Sequence, residues 1–269
     1  MTQDQPPSQF HPGSTYSEYH RDNVSQAPSS DQGSFRDPSR KLPLITYSLV
    51  GITVLVFLLQ SAGRTLTGTD LVGGLGLKVN ELILQGEYWR LMTPVFLHGS
   101  LVHLGFNMYA LFIFGPGLER YYGHLRFILL YFLGGFAGNV MSFMFSAAPS
   151  LGSSTAIFGL LGAEAVFLYR NQRLFGGVAR RALYNLIMIA LVNLFIGLSP
   201  GIDNWGHIGG LAGGTLFAWV GGPLLRLDGY YPLMRVVDER EARDTLIAAM
   251  VDGAIFGFLA VATIYIRSA

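Results

Sequence analysis

The chain has 269 residues, 51% of them hydrophobic and only 13% charged, with 34 glycines and a formal net charge of +1. That profile is too apolar for a water-soluble domain of this length, and so near-neutral a balance gives no signal for a nucleic-acid partner. There is no cysteine, which excludes disulfides and thiolate-based zinc or redox sites.

Residues 1–41 hold five prolines with many Ser and Gln and little aliphatic bulk, so they are expected to form a disordered tail. The first apolar run begins far from Met1 and no small-residue cleavage pattern follows it, so it reads as a retained helix rather than a leader.

About 20 mostly apolar residues are needed to cross the hydrocarbon core. Seven stretches qualify: 43–62, 101–118, 126–147, 153–169, 182–199, 206–225 and 246–266. None has the period-two alternation of barrel strands. The expected fold is therefore an all-α membrane protein. A six-helix bundle spans 42–225, and a seventh transmembrane helix at 246–269 follows a polar linker at 226–245.

Basic residues set the orientation. With the amino terminus in the cytoplasm, fourteen Arg and Lys fall in cytoplasmic segments, among them Arg40, Arg126, Arg170 and Arg240, and only Arg64, Lys78, Arg90 and Arg267 lie outside. The Arg clusters flank spans, so topology explains them without nucleic acid. The carboxyl terminus then lies outside, and the second, fourth and sixth helices all enter from the outer face.

The loop 63–100 contains LILQGEYW, an apolar stretch suited to the membrane interface. In FLHGSLVHLGFNMYALFIFG, residues 96–115, His103 and Asn107 are four apart and share one helix face at its outer end. GSSTAIFG, residues 152–159, puts Ser154 in the first turn of the fourth helix, and NWGHIGG puts His207 in the first turns of the sixth. Four polar groups on three helices thus reach one shallow layer, where ionisable residues usually face a cavity.

Each has a plainer reading. Ser153, Ser154 and Thr155 could cap the fourth helix, Asn107 could bridge helices, and His98 and His124 could be interfacial. A neutral histidine within reach of a serine supports nucleophilic catalysis, and His103, Asn107 and the Ser154 N–H could hold an oxyanion. No Asp or Glu occurs in the outer layers of helices two, four or six, which leaves a Ser-His dyad rather than a triad.

Taken in order, these residues resemble the rhomboid intramembrane serine proteases. The likeness runs from Leu42 onward through Trp89 and Arg90 in EYWRLMTPVFLHGS, then His98, His103 and Asn107 in HGSLVHLGFN, GSSTAIFG and NWGHIGG. It implies Ser154 as nucleophile and His207 as general base, with His103, Asn107 and the Ser154 amide as oxyanion hole. It implies Gly152 and Ser153 as the turn before the nucleophile and Phe158 as a ring packed on the catalytic histidine. Asn204 and Trp205 would belong to a lid loop, to which the Gly- and Pro-rich stretch 197–204, GLSPGIDN, is suited.

The family pattern GxSG has glycine where this chain has Thr155, and Gly206, Gly209 and Gly210 flank His207 to make room for it. Three small-xxx-small pairs, Gly134 with Gly138, Gly209 with Gly213 and Gly210 with Gly214, point to closely packed helices.

By the same resemblance the partners are the lipid bilayer and single-span transmembrane substrates cut near the outer face. The setting is a bacterial-type plasma membrane, and no metal or cofactor is called for. A second reading is an inactive relative that binds and escorts membrane helices, supported by Thr155. A third is a metal site or proton relay built on His98, His103 and His207. Glu164, mid-helix, is expected to make a buried polar contact, and Asp252 to pack its helix against the bundle.

Overall fold

The computed structural model of the protein describes residues 42–230, 232 and 234–269; the expected disordered tail, 1–41, lies outside them. In chain order the helices are α1 Leu44–Thr67, α2 Leu71–Gly76, α3 Asn80–Leu84, α4 Leu101–Phe145, α5 Ser154–Arg170, α6 Gln172–Ile196, α7 Asn204–Gly221 and α8 Ala242–Ser268. Two 3-10 turns, Tyr88–Leu91 and Thr93–Phe96, lie between α3 and α4.

Four of the helices, α1, α4, α6 and α8, are long and apolar enough to cross a membrane. Each of the seven expected spans falls on a helix. Two of them are arms of the 45-residue α4, which breaks at Gly123, where φ 75° and ψ 164° are conformations open to glycine but not to a side chain. The spans at 153–169 and 206–225 correspond to α5, with 17 residues, and the glycine-rich α7, with 18. Both are lined by neighbouring helices along much of their length and so need less apolar bulk of their own.

α5 is the hub. It runs between α4 and α7 with Ala156, Gly159, Leu160 and Ala163 buried. Glycine sets the spacing: a Cβ on Gly134 of α4 would sit 3.1 Å from Gly159 Cα, and one on Gly214 of α7 would fall inside the Gly159 carbonyl oxygen. At close range these backbones gain dispersion contact that any larger residue would prevent.

Helix starts are held by side chains that the local sequence supplies. Ser100 accepts from His103 N at 3.1 Å to start α4, and Asp203 accepts from Gly206 N at 3.0 Å to start α7. α1 lacks a cap of its own, Pro43 standing at that position. The buried Glu119 of α4 takes over, accepting from Ile45 N at 2.9 Å, Thr46 N at 2.8 Å and Thr46 Oγ1 at 2.6 Å.

The loop 63–100 is folded. Arg90, buried, donates to Leu77 O at 2.7 Å, Gly74 O at 2.9 Å and Glu87 Oε2 at 2.6 Å, and Trp89 Nε1 donates to Leu75 O at 3.0 Å. Ile83 of LILQGEYW is fully buried and belongs to one core cluster with Val140 and Phe143 of α4 and Phe256 of α8. Burial of Ile83 ties this segment to the bundle, while Tyr88 and Trp89 stay exposed.

The linker contains an antiparallel hairpin, β1 Leu225–Asp228 paired with β2 Arg235–Asp238. Arg126 fixes it by an ion pair to Asp238 and by bonds to Thr245 Oγ1 at 2.6 Å and Arg240 O at 2.8 Å. Asp252, fully buried, lies against Gly213 of α7, so α8 packs on the bundle there as expected. Glu164 meets no partner helix group through Oε2. It lines a cavity of about 190 Å³ with Tyr121, Phe167 and Phe175 instead.

Candidate active site at the start of helices α5 and α7

Ser154 is the first residue of α5 and His207 lies one turn into α7. His207 Nε2 and Ser154 Oγ are 3.0 Å apart, within hydrogen-bond reach. Phe158, one turn after Ser154, stacks on the imidazole with ring centroids 4.3 Å apart and planes 10° from parallel. The ring therefore has its plane set on one side by Phe158 and its edge set by Ser154. His207 Nδ1 is buried with no hydrogen-bond partner, so no carboxylate completes a triad among the described residues.

Gly152 holds φ +127° immediately before the serines, a region that side chains disfavour. Its N–H donates to Pro94 O at 2.9 Å, which anchors the turn to the folded loop. A Cβ there would lie 2.8 Å from His103 Nε2 and 3.7 Å from Ser154 Oγ, so glycine makes room for His103 beside the serine.

His98 is fully buried, which corrects its reading as an interfacial residue. Its Nε2 is 3.3 Å from Ser153 Oγ, its N–H donates to Gln60 Oε1 at 3.0 Å, and its ring meets the His103 ring edge-on at 5.0 Å. Removal from water pushes the His98 imidazole down to about 4, with the neighbouring His103 adding to the effect. His124, by contrast, is exposed and pairs with Glu119 at 2.6 Å.

None of the three hydroxyls caps α5. Ser153 turns to His98, Ser154 to His207, and Thr155 Oγ1 is buried without a partner. Asn107 is buried and its Nδ2 donates to His103 O at 3.0 Å in its own helix. Asn204 stands apart from the serine: its Nδ2 donates to Leu194 O at 3.1 Å and so ties the start of α7 to α6. Trp205 packs on Phe145 with centroids 4.7 Å apart.

Thr155 has room from a source only partly expected. Its Cγ2 faces Gly206 of α7, as expected, but its Cβ faces Gly138 of α4. Gly210 packs on the Thr155 backbone and Gly209 on Ala137 and Met141, so those two do not accommodate the side chain. A shared metal site on His98, His103 and His207 is not formed: the Nε2 atoms of His98 and His207 face Ser153 and Ser154. Among the described residues no three His, Cys, Asp or Glu side chains gather as a metal set.

Gln60 and Pro94 support this site and were not singled out by sequence. They lie in different elements from the motif they brace, at separations that no local pattern spans. Gly138 was singled out through its pairing with Gly134, but not as room for Thr155.

Known proteins are similar to this chain. The Rhomboid domain profile matches residues 85–224. The chain is similar to Rhomboid protease GluP of Bacillus subtilis (strain 168), 43% identical over 177 residues, covering 65% of this chain and 34% of that protein. RHOMBOID-like protein 9, chloroplastic, of Arabidopsis thaliana is 38% identical over 154 residues, 56% of this chain and 35% of that protein. YdcA of Bacillus subtilis (strain 168), provisionally named a rhomboid protease, is 34% identical over 191 residues, 70% of this chain and 92% of YdcA. The chain thus spans about a third of the length of GluP and RHOMBOID-like protein 9.

Proposed function

This chain belongs to the rhomboid family, and from that premise we propose that it is a serine-type intramembrane endopeptidase working through a Ser154–His207 dyad. The observation that carries the reading is the 3.0 Å approach of His207 Nε2 to Ser154 Oγ beneath a stacked Phe158. The protein is an integral, multi-pass membrane protein.

In the proposed mechanism His207 Nε2 takes the Ser154 proton as Oγ attacks the scissile carbonyl carbon. The tetrahedral oxyanion is met by the Ser154 N–H at the start of α5, by His103 and by the Asn107 amide, which turns from its bond to His103 O. His207 then protonates the leaving amine, and water activated by the same nitrogen hydrolyses the acyl-enzyme. Without a carboxylate on Nδ1, Phe158 and the helix fix the ring's orientation, a task that the third group performs in a triad.

The proposed substrates are single-span membrane proteins cut near the outer face, with the chain's amino terminus in the cytoplasm and its carboxyl terminus outside. The bilayer in question is a bacterial-type plasma membrane. The stretch 197–204, held to α6 through Asn204, serves as a cap over the site.

The test is cleavage of a generic single-span substrate by purified protein in detergent and in liposomes, alongside Ser154→Ala and His207→Ala and a chelator control. Cleavage that survives chelator and vanishes in both variants supports the dyad. Binding without cleavage by the unaltered chain supports the escort reading, and Thr155→Gly is then the variant to compare.

A further inference from the structure

Lys78 is the unexpected residue of the folded loop. Its side chain is fully buried, an unusual place for an ammonium. Nζ donates to Ser146 O at 3.1 Å and approaches Ser142 O at 3.5 Å, both at the carboxyl end of α4. A cation there meets the last free carbonyls and the negative end of the helix dipole.

The backbone of the same residue forms an isolated antiparallel bridge with Ser150. Lys78 N donates to Ser150 O at 3.0 Å, and Ser150 N donates to Lys78 O at 3.1 Å. Ser150 is two residues before Gly152, whose N–H is fixed to Pro94 O. One residue therefore grips both ends of the segment 146–150 that delivers Ser154.

The other half of the dyad starts from a capped helix end. Asp203 caps α7 through Oδ1, and His207 N donates to Asp203 O at 3.2 Å. Asp203 Oδ2 is buried with no hydrogen-bond partner, and its charge attracts the Lys78 ammonium. The other charged groups acting on Lys78 are Glu81 of α3, which attracts it, and Arg267 of α8, which repels it.

We propose that Lys78 is a positioning residue for the reaction: its buried ammonium on the carboxyl end of α4 and its backbone bridge to Ser150 register the segment before Ser154 and so set the Ser154–His207 approach. This rests on the proposed protease activity. Burial holds the Lys78 ammonium down to about 8, with Arg267 acting in the same direction and Asp203 and Glu81 opposing. The charge is present below that pH and lost as pH rises through it. The attraction for Asp203 goes with it.

The experiment is kcat and KM for a single-span substrate between pH 6 and 10. The unaltered chain should lose kcat as pH rises through about 8, with KM within twofold. Lys78→Met should lower kcat at pH 7 tenfold or more at unchanged KM. Two exposed substitutions give opposite shifts: Arg267→Gln, which also gives up a bond to Met144 O at 3.1 Å, moves the alkaline limb to higher pH, and Glu81→Gln moves it to lower pH. These decide the matter even if Lys78→Met does not fold. Limbs that coincide with the unaltered chain in both variants overturn the role of Lys78 while leaving the dyad intact. A folded Lys78→Met with unchanged kcat overturns it too. No cleavage by the unaltered chain at any pH sinks the protease reading instead.

Discussion

His207 Nε2 lies 3.0 Å from Ser154 Oγ across 53 residues of sequence, and the helices that carry them touch through glycine. If that contact is a nucleophile–base pair, Ser154→Ala and His207→Ala each lower kcat by at least about 10³-fold, because residues acting as one unit fail together. The double variant should be no worse than either single one. Thermal unfolding of Ser154→Ala should stay near that of the unaltered chain, since only a hydroxyl is lost, whereas His207→Ala also gives up the buried stack on Phe158 and should unfold somewhat earlier.

The dyad distance depends on α5 and α7 remaining close. Alanine at Gly214 would drive a methyl group into the Gly159 carbonyl, whereas one at Gly105 meets nothing within 4 Å. Gly214→Ala should destabilise the protein by about 1–3 kcal/mol or more, as overpacking does, with loss of cleavage. Gly105→Ala should leave both unchanged. Unfolding midpoints in one detergent, with cleavage rates below them, make the comparison.

Phe158 stacks on His207 at 4.3 Å, and such aromatic contacts are worth about 0.5–1.5 kcal/mol beyond burial. Phe158→Leu keeps apolar volume but frees the imidazole to tilt. About tenfold or less should be lost from kcat, since 1.36 kcal/mol is tenfold in rate, with KM unchanged. Steady-state kinetics separate this from a folding defect. A loss in KM alone would argue that Phe158 contacts substrate.

His98 gives a stability signature. Its imidazole is held down to about 4 in the folded protein, against an ordinary value of about 6.5 when unfolded. As pH falls below about 6.5 the unfolded chain takes up the proton while the folded chain does not, so stability present above that pH is lost progressively toward pH 4. The unfolding midpoint should drop between pH 7.5 and 4.5, and drop less in His98→Asn. Equal drops would assign the effect to other groups.

Much of the helical layout was legible because apolar runs of bilayer length declare themselves. Within it, Ser154, His207, His103 and Phe158 could be named because they sit in short local motifs at helix starts. The runs 101–118 and 126–147 were legible as two separate helical spans, and the non-helical Gly123 divides them in α4. LILQGEYW could not show in advance that Ile83 joins a protein core, because an apolar side chain in a loop has the same pattern whether it meets lipid or a core.

The sequence by itself determined a helical membrane protein of the rhomboid family and placed a serine and a histidine at the starts of two of its helices. Only the tertiary structure decided that His98 is buried behind Ser153, that Gly138 makes room for Thr155, that Glu119 caps α1, and that Lys78 holds α4 to the segment before Ser154. These contacts join residues on different elements, and each depends on how closely two backbones approach. That distance is set by the packing of the whole bundle, so no single stretch of chain encodes it.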